Sequence, residues 1–341
     1  MALDSRGNRN SSKTITTTLK ATEVGLILLL GFSPMYVSAA DPPSTTEPQT
    51  RDDAGTEPTE EKPEGKLRRL ESLIRGATPE ERAGLEEERR KLSAAAAGFG
   101  TDPTAIIGYY QLEYGHSTST NNLRLDSLTA TVRVPITPNF GVMVNMPYAW
   151  ADLNQPRGFT KDGTGDMTFR AGGRVYASDN VALFIGTDGS FPTSSSEKQL
   201  GLGKYTLGPG GGVAVPLARL RSLLFVIAED FHSIGGDPNR ADLHFVQVTS
   251  AFNTIWTQRW WTQAIAQWNL DWNNRRKTTL NLQGEIGHRF GEHWNVFVTP
   301  GLGVVGRDTF LGLDWTVQIG VRWVFRTPLL PERLFKSLPA S

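Results

Sequence analysis

Five histidines, the serines beside two of them and a scatter of buried-looking charges are the side chains here with chemistry to offer. His116-Ser117 and His232-Ser233 each place a base next to a hydroxyl, the ingredients of nucleophilic catalysis. On an extended strand, however, adjacent residues point to opposite faces, so neither pair can meet directly. The other histidines, His244, His288 and His293, have no adjacent serine, and no G-x-S-x-G elbow is present. Lys161-Asp162-Gly163-Thr164-Gly165-Asp166 lacks the spaced acids and closing Glu of a calcium-binding loop. The glycines around Pro209 are followed by no Lys-Ser/Thr, so they form a strand bend rather than a phosphate cradle. With no cysteine, disulfides, thiolate metal sites and a lipid-modified N-terminal Cys are excluded. No catalytic residue, cofactor or metal site is expected.

A second group of polar residues carries more information, because each sits in an apolar-polar alternation. Glu113, Arg133, Arg170, Arg174, Asp271, Glu285, Arg289, Asp314 and Arg322 all fall on the polar side. If the alternation is that of a barrel wall, these nine side chains line the lumen. They then either pair with one another and fill it, or set the selectivity of a pore. The arginines outnumber the acids in this set, which favours anionic and aromatic solutes, since guanidinium groups bind carboxylates and stack on rings.

The alternation is long. Leu311, Leu313, Trp315, Val317, Ile319, Val321, Trp323 and Phe325 form one apolar face against Gly312, Asp314, Thr316, Gln318, Gly320 and Arg322. Similar faces recur in Leu128–Ile136, Phe140–Trp150, Trp260–Trp272, Leu280–Ile286 and Trp294–Val304. Runs of this length exceed the five or six residues of a common soluble strand. In 223–232 and 243–256 the phase is ambiguous. Tight turns (137–139, 178–180, 218–221, 258–259, 291–292) alternate with longer polar links (116–122, 153–164, 193–203, 233–241, 273–277, 306–309). This is the rhythm of a transmembrane antiparallel up-and-down β-barrel, all-β in class, with about 12 strands and both termini in the periplasm. Such a wall keeps mean hydropathy low, here −0.31. The 35 Gly and 9 Trp fit curved strands and aromatic girdles. Equal numbers of basic and acidic residues, 35 each, give no pull on nucleic acid.

Ahead of the barrel the sequence reads as an export address. Arg6, Arg9, Lys13 and Lys20 precede the apolar run 24–32, and Val37-Ser38-Ala39 offers a cleavage site, so 1–39 is a signal peptide. The run is about half the roughly 20 residues needed to span a bilayer. Residues 40–66, rich in Pro, Thr and Glu, form a disordered linker. Residues 67–98 form a periplasmic helical segment resting near the barrel mouth, striped by Leu67, Leu70 and Ile74 in its first half and by Leu85 and Leu92 in its second, with a capping box at Thr78-Pro79-Glu80-Glu81. The barrel covers 104–326, and 327–341 is a C-terminal tail.

Two stretches of the barrel resemble the outer-membrane family named for the MetA pathway of phenol degradation. Gly163-Thr164-Gly165-Asp166 running to Tyr176 is similar to that family's G-x-G-D strand opening. Phe191-Pro192-Thr193 with Gly201-Leu202-Gly203-Lys204-Tyr205-Thr206-Leu207-Gly208-Pro209-Gly210 is similar to its P-T-G…G-x-G-x-x-x-x-G-P segment. The resemblance covers roughly 104–326; the acidic linker, the helix and the tail depart from it. It implies a barrel in the Gram-negative outer membrane, in contact with membrane lipid and inserted by the barrel assembly machinery. It further implies passage of small hydrophobic or aromatic solutes. The reading is therefore a passive channel or transporter. A closed barrel anchoring a periplasmic interaction arm is the alternative, and an outer-membrane hydrolase the third.

Overall fold

The computed structural model describes residues 79–325, except 120–122, 154–159, 195–199, 274, 307–308 and 310. The expected leader, linker, first part of the helical segment and tail lie outside these residues. One helix, α1 (Pro79–Phe99), precedes thirteen strands: β1 (Gly108–Thr118), β2 (Leu123–Pro135), β3 (Phe140–Leu153), β4 (Thr160–Thr164), β5 (Met167–Ala177), β6 (Ala182–Phe191), β7 (Lys204–Leu217), β8 (Ser222–Gly236), β9 (His244–Ile255), β10 (Trp260–Asp271), β11 (Lys277–Phe290), β12 (Trp294–Val305) and β13 (Trp315–Phe325).

Each strand pairs antiparallel with its sequence neighbour, and β1 pairs with β13 from Gly108↔Phe325 to Thr118↔Trp315. That last ladder closes the ring, as a sheet must to span a membrane. β4 and β5 both pair with β3, β4 along Tyr148–Asp152 and β5 along Phe140–Asn145. They are one stave interrupted at Gly165-Asp166, and the barrel has twelve staves, an even number. Short turns close one end (136–139, 178–181, 218–221, 256–259, 291–293) and longer links the other, in strict alternation.

The faces follow the expected parity. On β12, Trp294, Val296, Val298, Leu302 and Val304 point outward, while Asn295, Phe297 and Thr299 are buried inside. Exposed aromatics gather at both ends of this apolar band. Tyr110, Trp260, Phe290 and Trp294 lie toward the short turns; Tyr148, Trp150, Tyr205, Trp272 and Trp315 lie toward the long links. These are the two aromatic belts of a membrane barrel.

Leu311 and Leu313 correct the expected lipid-facing face. Both are buried, and Leu311 packs on Phe231 and Phe245 inside the barrel. The reason is the length of the partner strand. β1 ends at Thr118, whose carbonyl accepts the Asp314 N–H, so residues before Trp315 have no ladder to hold them in the wall and fold across the mouth.

The glycines of β7 admit large inward side chains from β8. A Cβ on Gly210 would meet the Ala228 carbonyl and the Glu229 side chain, and one on Gly208 would meet the Phe231 ring. The face assignment gives a direct expectation. Ile319→Arg, at an outward position 50% exposed, should destabilise insertion by roughly 2–4 kcal/mol. Gln318→Arg, facing the lumen, should cost much less. Urea unfolding in lipid vesicles checks this, and equal losses would contradict the faces.

Candidate functional site

The site is the lumen and the helix that enters it. Glu80 and Glu81 occupy the first turn of α1, where the helix dipole favours acids. Its first half is mostly exposed, whereas Leu92, Ala96 and Phe99 are buried against Leu223, Phe225, Ile227, Ala251 and Trp261 of the wall. Leu85 joins the same cluster, so one stripe at helical spacing faces the barrel. Arg89 donates to the Asn180 side chain and Arg90 pairs with Asp179, tying the exposed half to the β5–β6 turn. The segment thus does not merely rest near the mouth. It enters from the short-turn end and its last turns plug the barrel.

The plug ends in a Schellman turn. Gly100, at φ +75°, donates its N–H to Ala97, and Thr101 donates to Ala96. Two carbonyls remain, and the helix has no basic residue in its last turn to meet them. The wall supplies the donors. Arg289 Nη2 and Asn295 Nδ2 donate to the Gly98 carbonyl, and Arg322 Nη1 donates to the Phe99 carbonyl at 2.6 Å. Two guanidinium groups therefore sit at the negative end of the helix dipole. A Cβ at Gly98 would lie 2.6 Å from Arg289 Nη2, so any larger residue here would push the guanidinium from its present place. Phe99 stacks on Trp261 with ring centres 4.5 Å apart, and Arg289 lies 5.2 Å from the Phe99 ring centre. Trp261 in turn donates its indole N–H to Glu285 at 2.7 Å. Further along, Arg133 donates to the carbonyls of Pro103 and Ala105, and Asn253 donates to Thr101.

Between plug and long links lies a cavity of about 190 Å³, lined among others by Tyr109, Phe231, Phe245, Arg170, Glu229 and Gln247. It exceeds the roughly 150 Å³ of an engineered cavity that takes up benzene. Arg170 is held bidentately by Asp188, its direct cross-strand partner, and lies 3.4 Å from Glu229. Gln267 and Gln247 bring buried amide atoms to the lumen that bond no other described residue. The surface is amphipathic, with rings and paired charges together.

Of the nine expected lumen residues, Glu113, Arg133, Arg170, Glu285 and Arg322 do line this cavity. Arg289 is inside, but at the plug. Arg174 is at the short-turn rim, where its Nη2 donates to Asn139 Oδ1. Asp271 closes β10 at the long-link rim and caps the Asn273 N–H. Asp314 precedes β13 instead of lying in it. Asp188 and Glu229 were not among the nine. With these two acids beside Glu113 and Glu285, and with three arginines bonded to plug carbonyls, the expected arginine excess disappears. The anion preference drawn from it is withdrawn.

The hydrolase ingredients separate as strand parity requires. His116 bonds Asp126 on the outer face at 2.8 Å, whereas Ser117 is buried and donates to the Leu125 carbonyl. The two glycine-rich stretches meet at the long-link end. Asp166, fully buried, accepts the N–H groups of Ser194 and Gly203. Thr193 Oγ1 donates to the Gly165 carbonyl and accepts the Met167 N–H. Their chemistry is architectural: they bind the β6–β7 link to the broken stave.

A closed twelve-stave antiparallel barrel with two aromatic belts is the fold of outer-membrane β-barrel proteins. An outer-membrane channel from Pseudomonas putida F1 superposes with a TM-score of 0.50 at 13% identity, over 66% of this chain and 97% of that one. NanC porin aligns with a TM-score of 0.46 at 10% identity, over 63% and 98% of the chains, and KdgM porin with 0.44 at 9%, over 63% and 99%. At these identities the likeness concerns the fold. No protein-family model matches the chain, and no curated protein does.

Arg322→Ala should loosen the plug while leaving the wall intact. Losing one hydrogen bond from a charged donor costs roughly 1.5–3 kcal/mol, so amide exchange in residues 92–99 should accelerate about 10- to 100-fold. Exchange unchanged there, or accelerated equally in β9–β12, would contradict the assignment.

Proposed function

We propose that this protein is a passive outer-membrane channel for small amphipathic solutes, including those carrying an aromatic ring, and that α1 is its gate. The observation that carries the reading is the way the plug is fastened. It is held by side chains of the wall donating to backbone carbonyls, contacts a moving helix can break and remake, rather than by a strand of the barrel. The cavity beyond it matches one ring in size and offers both ring faces and paired charges. Because Arg133, Arg170 and Arg322 face Glu113, Asp188, Glu229 and Glu285 in nearly equal number, the channel discriminates by size and amphipathy more than by sign.

In this reading the short-turn end and α1 face the periplasm, as short turns do in bacterial barrels. The exposed apolar band contacts outer-membrane lipid, and export relies on residues 1–39. The resemblance to the phenol-degradation family agrees with an aromatic solute, although it rests on the two glycine-rich stretches, whose contacts here are architectural. The assembly machinery remains the expected partner for insertion.

Liposome swelling tests the reading. The double variant Arg289→Ala/Arg322→Ala should admit phenylalanine severalfold faster than the wild-type chain, whose own slow uptake of equal-sized anionic and cationic ring compounds should be similar. If the folded variant stays impermeable, the barrel is closed and the anchor reading replaces the channel.

A further inference from the structure

The outer wall carries a cluster that the lumen reading does not use. Strand period places Asp230 and His232 on the same outward face of β8, two residues apart. His244, the first residue of β9, is paired directly with His232 in the ladder. Directly opposed residues have Cβ atoms about 4.5–5.5 Å apart, and here the two imidazole rings lie with centres 4.2 Å apart. Asp230 Oδ2 is 2.9 Å from His232 Nε2, and Asp230 Oδ1 is 3.3 Å from His244 Nε2. One ligand atom from each residue falls within 4.8 Å of the other two. Asp230 Oδ1 is buried and accepts no hydrogen bond, so a coordination partner would resolve an unsatisfied carboxylate oxygen.

We propose that Asp230, His232 and His244 form a binding site for a divalent transition metal of the zinc type. The donor set is two imidazole nitrogens and one carboxylate, which suits zinc and its borderline neighbours rather than magnesium or calcium. Zinc bonds of about 2.0–2.1 Å put ligand atoms about 3.3 Å apart in a tetrahedron. Each carboxylate oxygen of Asp230 already lies near that distance from one imidazole nitrogen, Oδ2 at 2.9 Å from His232 and Oδ1 at 3.3 Å from His244. Three protein ligands leave one position, directed away from the wall, for water or an external group.

The place in the fold gives the metal a structural consequence. The site sits at the foot of the β8–β9 link (237–243), and His244 lies 6.0 Å from the Trp272 ring of the upper aromatic belt. The same link is tied to β7 by Lys204 Nζ, which donates to Asp242 at 2.7 Å. That hydrogen bond and the ammonium charge hold the exposed Asp242 carboxyl below the usual carboxylate range. A metal at the foot of the link would clamp its second side, making the link a fixed part of the mouth. No spacing motif marks this site, because its two histidines stand twelve positions apart across a chain reversal.

The test uses the untagged full-length protein folded in detergent, titrated with Zn²⁺ against a competing chromophoric chelator. The expected result is one zinc per chain, with affinity reduced on the order of 100-fold or more in His244→Ala and unchanged in His116→Ala. Zinc should raise the thermal unfolding midpoint of the wild type and not that of His244→Ala, by preferential binding to the folded state. Heat-modifiable migration verifies that each barrel is folded, and His232→Gln replaces His244→Ala if the latter is not. No zinc bound by the wild type, or equal affinity in wild type and the ligand variant, overturns the proposal. The outcome is independent of whether the lumen conducts.

Discussion

A helix that ends inside a protein brings with it carbonyls its own backbone cannot satisfy, and in a barrel lumen bulk water is not there to take them. Much of this molecule is arranged around that constraint. The Schellman turn at Gly100 uses the carbonyls of Ala96 and Ala97, and Arg289, Asn295 and Arg322 take those of Gly98 and Phe99. The same guanidinium groups lie against Phe99, Tyr109 and Phe297, so charge and ring faces are packed together. The barrel provides the cations that the helix lacks in its last turn.

The wall obeys a different constraint, imposed by lipid. Every strand must be paired on both sides, and β1 with β13 completes this. Where β3 outlasts β5, the short strand β4 continues the pairing past the break at Gly165-Asp166. The break is stabilised because the buried Asp166 takes two N–H groups from the following link. The hydrogen bonds that the wall makes to the end of α1 come from Arg289, Asn295 and Arg322 side chains and take no part in a ladder.

Much of the barrel was legible in the sequence because lipid and lumen impose opposite polarity on alternate residues. β12 and the body of β13 show it cleanly. The stretches 223–232 and 243–256 did not, and the plug explains why. Leu223, Phe225 and Ile227 face inward onto α1 while Leu224 and Val226 face outward, so both faces of β8 are apolar at that level. Ala251 and Ile255 do the same on β9. The loss of period was itself the mark of an apolar object inside, and it also hid the lumen acid Glu229. Asp188 was obscured by neighbouring glycines, which carry no face. The plug helix was legible as a helix, but its buried stripe of Leu, Ala and Phe is too small to announce a lumen rather than a solvated surface. Leu311 and Leu313 misled because alternation continued past the point where β1 could pair.

Whether the end of α1 occupies the lumen can be measured against a clean background because the chain has no cysteine. Single cysteines at Ala96, fully buried, and at Glu86, exposed on the same helix, would be reacted with a bulky maleimide in the folded barrel. With the helix end in the lumen, position 86 labels promptly and position 96 is protected until the protein unfolds. Equal labelling of both positions in the folded protein would contradict this by placing the helix outside the barrel.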